Sequence, residues 1–149
     1  MYISEVDDWL EKCATDPRWL AESMQRIGRF GGQHPTANVL NHSLEVAYML
    51  RGSTPDVQLW ALLHDAHEVL TGDVPRQYKR TQILSEQQLL DCALQRRLGI
   101  DITHNSVEVM DKLCGDMEAK HWGGVIFHCR IGCVDIFETK FNSLKAKLV

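Results

Sequence analysis

"LLHDAHEVLTGDVP", residues 62–75, sets His64, Asp65, His67 and Glu68 into an otherwise apolar segment, and a further acid, Asp73, follows. Burying such groups is unfavourable unless they are paired or bound to a metal. The surrounding residues read as a core helix. Thr54-Pro55 opens it, and Val57, Leu59, Trp60, Leu62 and Leu63 make it apolar on nearly all sides. Gly72 ends it, and Asp73-Val74-Pro75 reads as a turn with a short helix after it. A helix apolar all round belongs at the centre of a fold. The polar cluster is therefore expected deep in the molecule.

The rest of the chain is read as helical. Asp16 is an N-cap with Pro17 at the first helical position. That helix runs through Trp19, Leu20, Met24 and Ile27 and stops before Gly31-Gly32. Residues 38–51 carry Val39, Leu40, Leu44, Ala47, Tyr48 and Leu50 at helical spacing, closed by Gly52. Ser85-x-x-Gln88 resembles a capping box ahead of Leu89, Leu90, Ala93, Leu94 and Leu98, with Gly99 at the end. A long helix over 106–121 turns Val107, Met110, Leu113, Cys114 and Met117 inward, and Trp122-Gly123-Gly124 breaks it. The last helix carries Ile126, Phe127, Ile131, Val134, Phe137, Phe141 and Leu144. No convincing alternating strand, repeat or linker is found. The expectation is one domain over residues 1–149, an all-α orthogonal helical bundle.

Composition narrows the function. A chain of 149 residues can bury a real core. The net charge of −4 leaves no basic footprint, so a nucleic-acid polymer is not the expected partner. A small charged substrate needs only a local cluster of Arg and Lys. No apolar run approaches the roughly 20 residues of a membrane helix. The start, MYISEVDDWLEK, is acidic where a signal peptide would be basic. A cytoplasmic protein off the membrane is expected. The five cysteines are odd in number, scattered and without CxxC, which suits reduced thiols. His121, His128, Cys129 and Cys133 do not match the usual zinc-ligand spacings, and the cysteines read as helix packing.

Adjacent residues on a helix lie about 100° apart, yet His64 and Asp65 can converge on one ion at the helix edge. Further ligands would come from neighbouring helices. His42, in "NVLNHSLEVA", and Asp111, in "SVEVMDKLCGDME", are polar residues flanked by apolar periodicity. Each has an ordinary reading alone: a satisfied or surface histidine, and an aspartate in a salt bridge with a residue such as Arg26. The order H…HD…D over three successive long helices favours a metal site.

This order resembles the HD superfamily of metal-dependent phosphohydrolases. It is most similar to the small branch of bacterial 5′-deoxynucleotidases and phage-type deoxynucleoside triphosphohydrolases. The matching features are Arg29-Phe30-Gly31-Gly32, "NHS" at 41–43, "HDAHEVLTGDVP" at 64–75 and "MDKLC" at 110–114. His67 departs from the pattern, where the family often has a small residue; a second metal or a substrate contact would be built there. The resemblance implies His42, His64, Asp65 and Asp111 as metal ligands, and Glu68 and Asp73 as the acids that handle protons and orient water. Glu68 lies four residues after His64, on the same helix face. The mixed nitrogen and oxygen set suits one Mn, Co, Fe, Ni or Zn ion rather than Ca, with an additional Mg or Mn ion accompanying substrate phosphates.

The implied reaction is hydrolysis at the phosphorus nearest the sugar, releasing the deoxynucleoside. The metal would acidify a bound water and polarise the phosphoryl group. The chain's short length and the string "RFGGQ" lean toward a triphosphate substrate, dATP being one candidate, with a monophosphate as the alternative. A catalytically idle nucleotide-binding module is disfavoured, since no expected ligand or acid is missing. A cyclic-dinucleotide phosphodiesterase would need further metal-binding histidines, and neither His67 nor His104 fits convincingly.

Positive charge should mark the phosphate pocket. Arg29 precedes a Gly-Gly pair that lets backbone approach a ligand; Arg26 lies one turn earlier, and Arg76, Lys79 and Arg80 follow the turn after Gly72. Arg29, Lys79 and Arg26 are the phosphate candidates. Trp19, Gln33, His34 and His67 are candidates for the base or sugar. No P-loop or dinucleotide fingerprint occurs. Phe137 and Phe141 offer a face for a homo-oligomer, although such a stripe is more often core.

Overall fold

A computed structural model of the chain describes residues 6–30, 37–102, 105–121 and 132–148. The regular elements among them are helical, as expected for an all-α fold. They are α1 (Val6–Thr15), α2 (Pro17–Gln25), α3 (Val39–Met49), α4 (Pro55–Leu63), the short α5 (Glu68–Thr71), a single 3₁₀ turn (Arg76–Tyr78), α6 (Thr81–Leu98), α7 (Ser106–His121) and α8 (Cys133–Ala146). Helices α3 and α4 pack on each other. Both also touch α7 and α8, and α2 lies on α3 and α8. Trp60, Leu62 and Leu63 of α4 are buried with Leu40 and Leu44 of α3, so these two helices carry the core.

Local chemistry sets the helix ends. Asp16 accepts a hydrogen bond from the Trp19 amide at 3.1 Å and starts α2, with Pro17 at its first position. Asn38 does the same for α3 through the Asn41 amide at 2.9 Å. Helix α2 stops at Gln25, earlier than the apolar spacing implies, because the following chain pairs elsewhere. The Arg29 amide bonds to the Ala37 carbonyl at 2.7 Å, and the Val39 amide to the Ile27 carbonyl at 3.0 Å. Arg29 is thereby anchored beside the start of α3. The long helix expected to end at Gly72 is instead two pieces. Residues 64–67 form turns between α4 and α5, and Gly72 ends α5 at φ 78° and ψ 170°, a conformation essentially restricted to glycine.

One helix was not anticipated, and two expectations are corrected. The acidic N-terminal stretch is a helix, with Asp7 and Asp8 in its first turn and Trp9 and Cys13 one turn apart on its buried face. Helix α6 begins at Thr81, so Ser85 lies inside it rather than at a cap; Leu89 is 71% exposed, and Leu94 supplies the buried apolar contact. In α7 Val107 and Cys114 face the core, while Leu113, about 100° round the helix from Cys114, is 51% exposed.

Phe137, Phe141 and Leu144 form the buried stripe of α8, so the phenylalanines belong to the core. Cys13, Cys92 and Cys114 are free thiols, but Cys133 is disulfide-bonded, contrary to the expectation of uniformly reduced cysteines. Gly31, Gly32, His104 and the segment from Trp122 to Ile131, with Ile126, Phe127, His128 and Cys129, lie outside the described residues. No helix among the described residues is long and apolar enough to cross a membrane.

Helix α1 is fastened to the centre of the fold. The fully buried Trp9 donates its indole N–H to the Ala66 carbonyl at 3.0 Å, and Arg97 of α6 pairs with Glu11 at 2.6 Å. Truncating a buried tryptophan leaves a large cavity. Trp9→Ala is therefore expected to lower unfolding free energy by about 3–5 kcal/mol in urea denaturation. A loss below about 1 kcal/mol, the ordinary cost of a substitution, would show that the indole does not hold α1 in place.

Candidate metal centre

Three segments bring four side chains to one point. His42 projects from the middle of α3, His64 and Asp65 follow the last turn of α4, and Asp111 comes from α7. One ligand atom from each lies within 4.8 Å of the others. His42 Nε2 is 2.7 Å from Asp111 Oδ1 and 3.6 Å from Asp65 Oδ2. His64 Nε2 stands 3.3 Å from Asp65 Oδ2 and 3.4 Å from Asp111 Oδ1.

Both imidazoles are oriented from behind. His42 Nδ1 donates to Glu118, with oxygens at 2.7 and 3.0 Å. His64 Nδ1 donates to the Ala61 carbonyl at 2.7 Å. Engaging Nδ1 leaves Nε2 as the ligand atom, the arrangement common for metal-binding histidines. His64 Nε2 is buried and makes no hydrogen bond. Two imidazole nitrogens, two carboxylates and an orphaned nitrogen aimed among them fit a divalent transition ion.

The electrostatics fit the same reading. Burial disfavours charge on both histidines, and Arg29 opposes it further at His42. Hydrogen bonds donated to Asp111 and Glu118 nevertheless raise the His42 pKa, and the Asp65 and Asp111 carboxylates raise that of His64 further. Asp65 and Asp111, despite burial, are held well below the usual carboxylate range, Asp65 chiefly by the neighbouring His64 and Asp111 by His42, which hydrogen-bonds to it, and by His64 close by. The raised imidazole pKa values make protons and a cation competitors for the same nitrogen atoms. A cation must displace those protons to bind.

The next acids behave oppositely. Burial beside Asp65 and Asp73 pushes Glu68 up to about 9. Burial and Asp65 also raise Asp73, against the pull of Arg29 and Lys79.

Asp65 and Asp111 also line a cleft of about 640 Å³, with Glu68 and Asp73 on its wall and Arg29, Lys79 and Lys112 bordering it. Phe30 joins them with a left-handed φ of 53°, uncommon for an aromatic residue, and the Arg29 guanidinium lies 5.5 Å from its ring centre. Of the phosphate candidates, Arg29 and Lys79 reach the cleft. Arg29 Nε is 3.4 Å from Glu118, and Lys79 donates to Gln87 at 3.0 Å. Arg26, the C-cap of α2, is exposed and does not line the cleft.

Trp19 packs against the core and is not part of the cleft lining. His67 is buried, with Nδ1 2.7 Å from Asp91 Oδ1. Gln33 and His34 lie outside the described residues.

Sequence reasoning passed over Glu118, Lys112 and Asp91. Glu118 offered a signal, since it lies two helical turns after Asp111 on α7 and shares its face. Lys112 follows Asp111 directly and borders the same cleft. Asp91 gives no local cue, because its partner His67 is remote in sequence.

A 5′-deoxynucleotidase from Pectobacterium atrosepticum is 35% identical to this chain over a match covering 42% of the chain and 39% of that protein. The match thus takes in well under half of the relative's length. No family model matches the chain, and no solved structure matches it.

The Glu118–His42 contact yields a direct expectation. Glu118→Gln keeps the shape but removes the charge behind His42, and metal affinity should fall roughly 10- to 100-fold in a calorimetric titration. The affinity of the unaltered chain should fall as pH drops through the raised imidazole pKa values, because protons then compete for the ligand atoms. An unchanged affinity in Glu118→Gln would remove that residue from the centre.

Proposed function

We propose that this chain is an HD-type metal-dependent phosphohydrolase that cleaves deoxynucleoside monophosphates into deoxynucleoside and phosphate. The observation that carries the reading is the convergence of His42, His64, Asp65 and Asp111 beside a cleft bordered by Arg29, Lys79 and Lys112. A cleft of about 640 Å³ is in the range of small-ligand sites. The relative named as a 5′-deoxynucleotidase supports a deoxynucleotide substrate, and a monophosphate over the triphosphate toward which "RFGGQ" and the short length lean.

His42, His64, Asp65 and Asp111 would hold one Mn, Co, Fe, Ni or Zn ion. Such an ion, when bound, lowers the pKa of a coordinated water and polarises a phosphoryl oxygen. The chain's own groups do the rest. Arg29, Lys79 and Lys112 supply positive charge to the substrate phosphate. Glu68 and Asp73 stand on the same wall of the cleft, Asp73 placed to align the attacking water and take up its proton and Glu68 to supply one to the departing oxygen. The bond from water oxygen to phosphorus forms, and the bond from phosphorus to the 5′ oxygen breaks. The departing oxygen gains a proton. Burial of Glu68 brings its pKa above the ordinary carboxylate range, so it can hold and return a proton near neutral pH.

Metal-loaded protein incubated separately with each deoxynucleoside mono- and triphosphate should release inorganic phosphate from monophosphates. Release of tripolyphosphate from triphosphates alone would overturn the substrate assignment. No turnover with any of the five metals would leave a binding module instead of an enzyme. Glu68→Gln should retain the ion held by His42, His64, Asp65 and Asp111 while kcat falls roughly 10²- to 10⁴-fold. Asp65→Ala should lose the metal, as read by elemental analysis.

A further inference from the structure

We infer that Asp65, His67 and Glu68 form a second metal site that adjoins the first through the Asp65 carboxylate. One ligand atom from each of the three lies within 4.8 Å of the others, and all three side chains are buried. The two oxygens of Asp65 are divided between two sets of donors. Oδ2 faces His64 and His42 at 3.3 and 3.6 Å, whereas Oδ1 faces His67 Nε2 at 3.9 Å. That last separation is too long for a hydrogen bond. It suits two ligands of one ion, since donors each about 2.1 Å from a metal stand roughly 3–4 Å apart.

His67 is prepared as a ligand in the same way as His42. Its Nδ1 is engaged by Asp91 Oδ1 at 2.7 Å, which turns Nε2 toward Asp65. His67 Nε2 and Glu68 Oε2 are both buried and make no hydrogen bond. His67 and Glu68 are 6% and 3% exposed, so bulk water does not satisfy these atoms. An imidazole nitrogen, two carboxylates and an outer carboxylate behind the histidine suit a divalent transition ion such as Mn²⁺. Glu68 would contribute Oε2 in place of the proton it otherwise holds, so that with the second ion bound Asp73 is left as the acid that handles protons at the cleft. The inference deepens the proposed function, resting on it through Asp65, and gives a role to the histidine by which the HDAHE string departs from the family pattern.

The test is metal stoichiometry of the chelator-stripped full chain, with Mn²⁺ as the probe. Elemental analysis after equilibrium dialysis gives the count, and electron paramagnetic resonance reports whether two ions share a bridge. The unaltered chain should take up two Mn²⁺ ions with an exchange-coupled signal. His67→Ala should take up one, with an uncoupled signal. Asp91→Asn, which keeps the size of the side chain, should weaken the second ion roughly 10- to 100-fold and leave the first unchanged. A single ion in the unaltered chain, or two ions retained in His67→Ala, overturns the second site while leaving the proposed function standing. No bound ion at all overturns both.

Discussion

His42 is held through both ring nitrogens, by Glu118 on one side and Asp111 on the other, at a position with almost no solvent exposure. A buried histidine between two carboxylates is tolerable only if charge is balanced on the spot. The rest of the architecture serves that balance. Helix α3 is buried along its length from Val39 to Ala47, so it cannot turn to expose the imidazole. Helix α7 brings Asp111 and Glu118 from one face, and His64 and Asp65 complete the cluster from the end of α4. Protons or a cation can supply the balancing charge, and the ligand geometry accommodates either.

The same economy extends to Arg29. Its guanidinium is drawn by Glu118, Asp65, Glu68 and Asp73 together. The backbone bonds between 27–29 and 37–39 hold it beside α3. One cation therefore offsets carboxylates belonging to the cluster and to the cleft wall.

Much of this was legible in the sequence, and the limits have physical causes. The apolar periodicity of α3, α4 and α7 and the cap at Asp16 are local signals, and they mark helices correctly. The candidate ligands stood out because each is polar where its helix is apolar. The N-terminal helix was missed because its acidic surface obscures Trp9 and Cys13 one turn apart. The cap read at Ser85 failed because a spacing motif cannot compete with a helix already begun at Thr81. Arg26 and Trp19 were misplaced for another reason: a helix direction does not reveal which neighbour covers a given face. Contacts such as Glu118 with His42 and Asp91 with His67 join residues far apart in the chain, so only the fold exposes them.

The bond from Trp9 to the Ala66 carbonyl falls between Asp65 and His67, on the turn that supplies both metal-binding candidates. The N-terminal helix thus acts as a splint on that turn, although it contributes no ligand. Local opening of the molecule at this helix would loosen the backbone of both candidate ion positions at once. Metal affinity at those positions and resistance of α1 to proteolysis would then report on one cooperative unit.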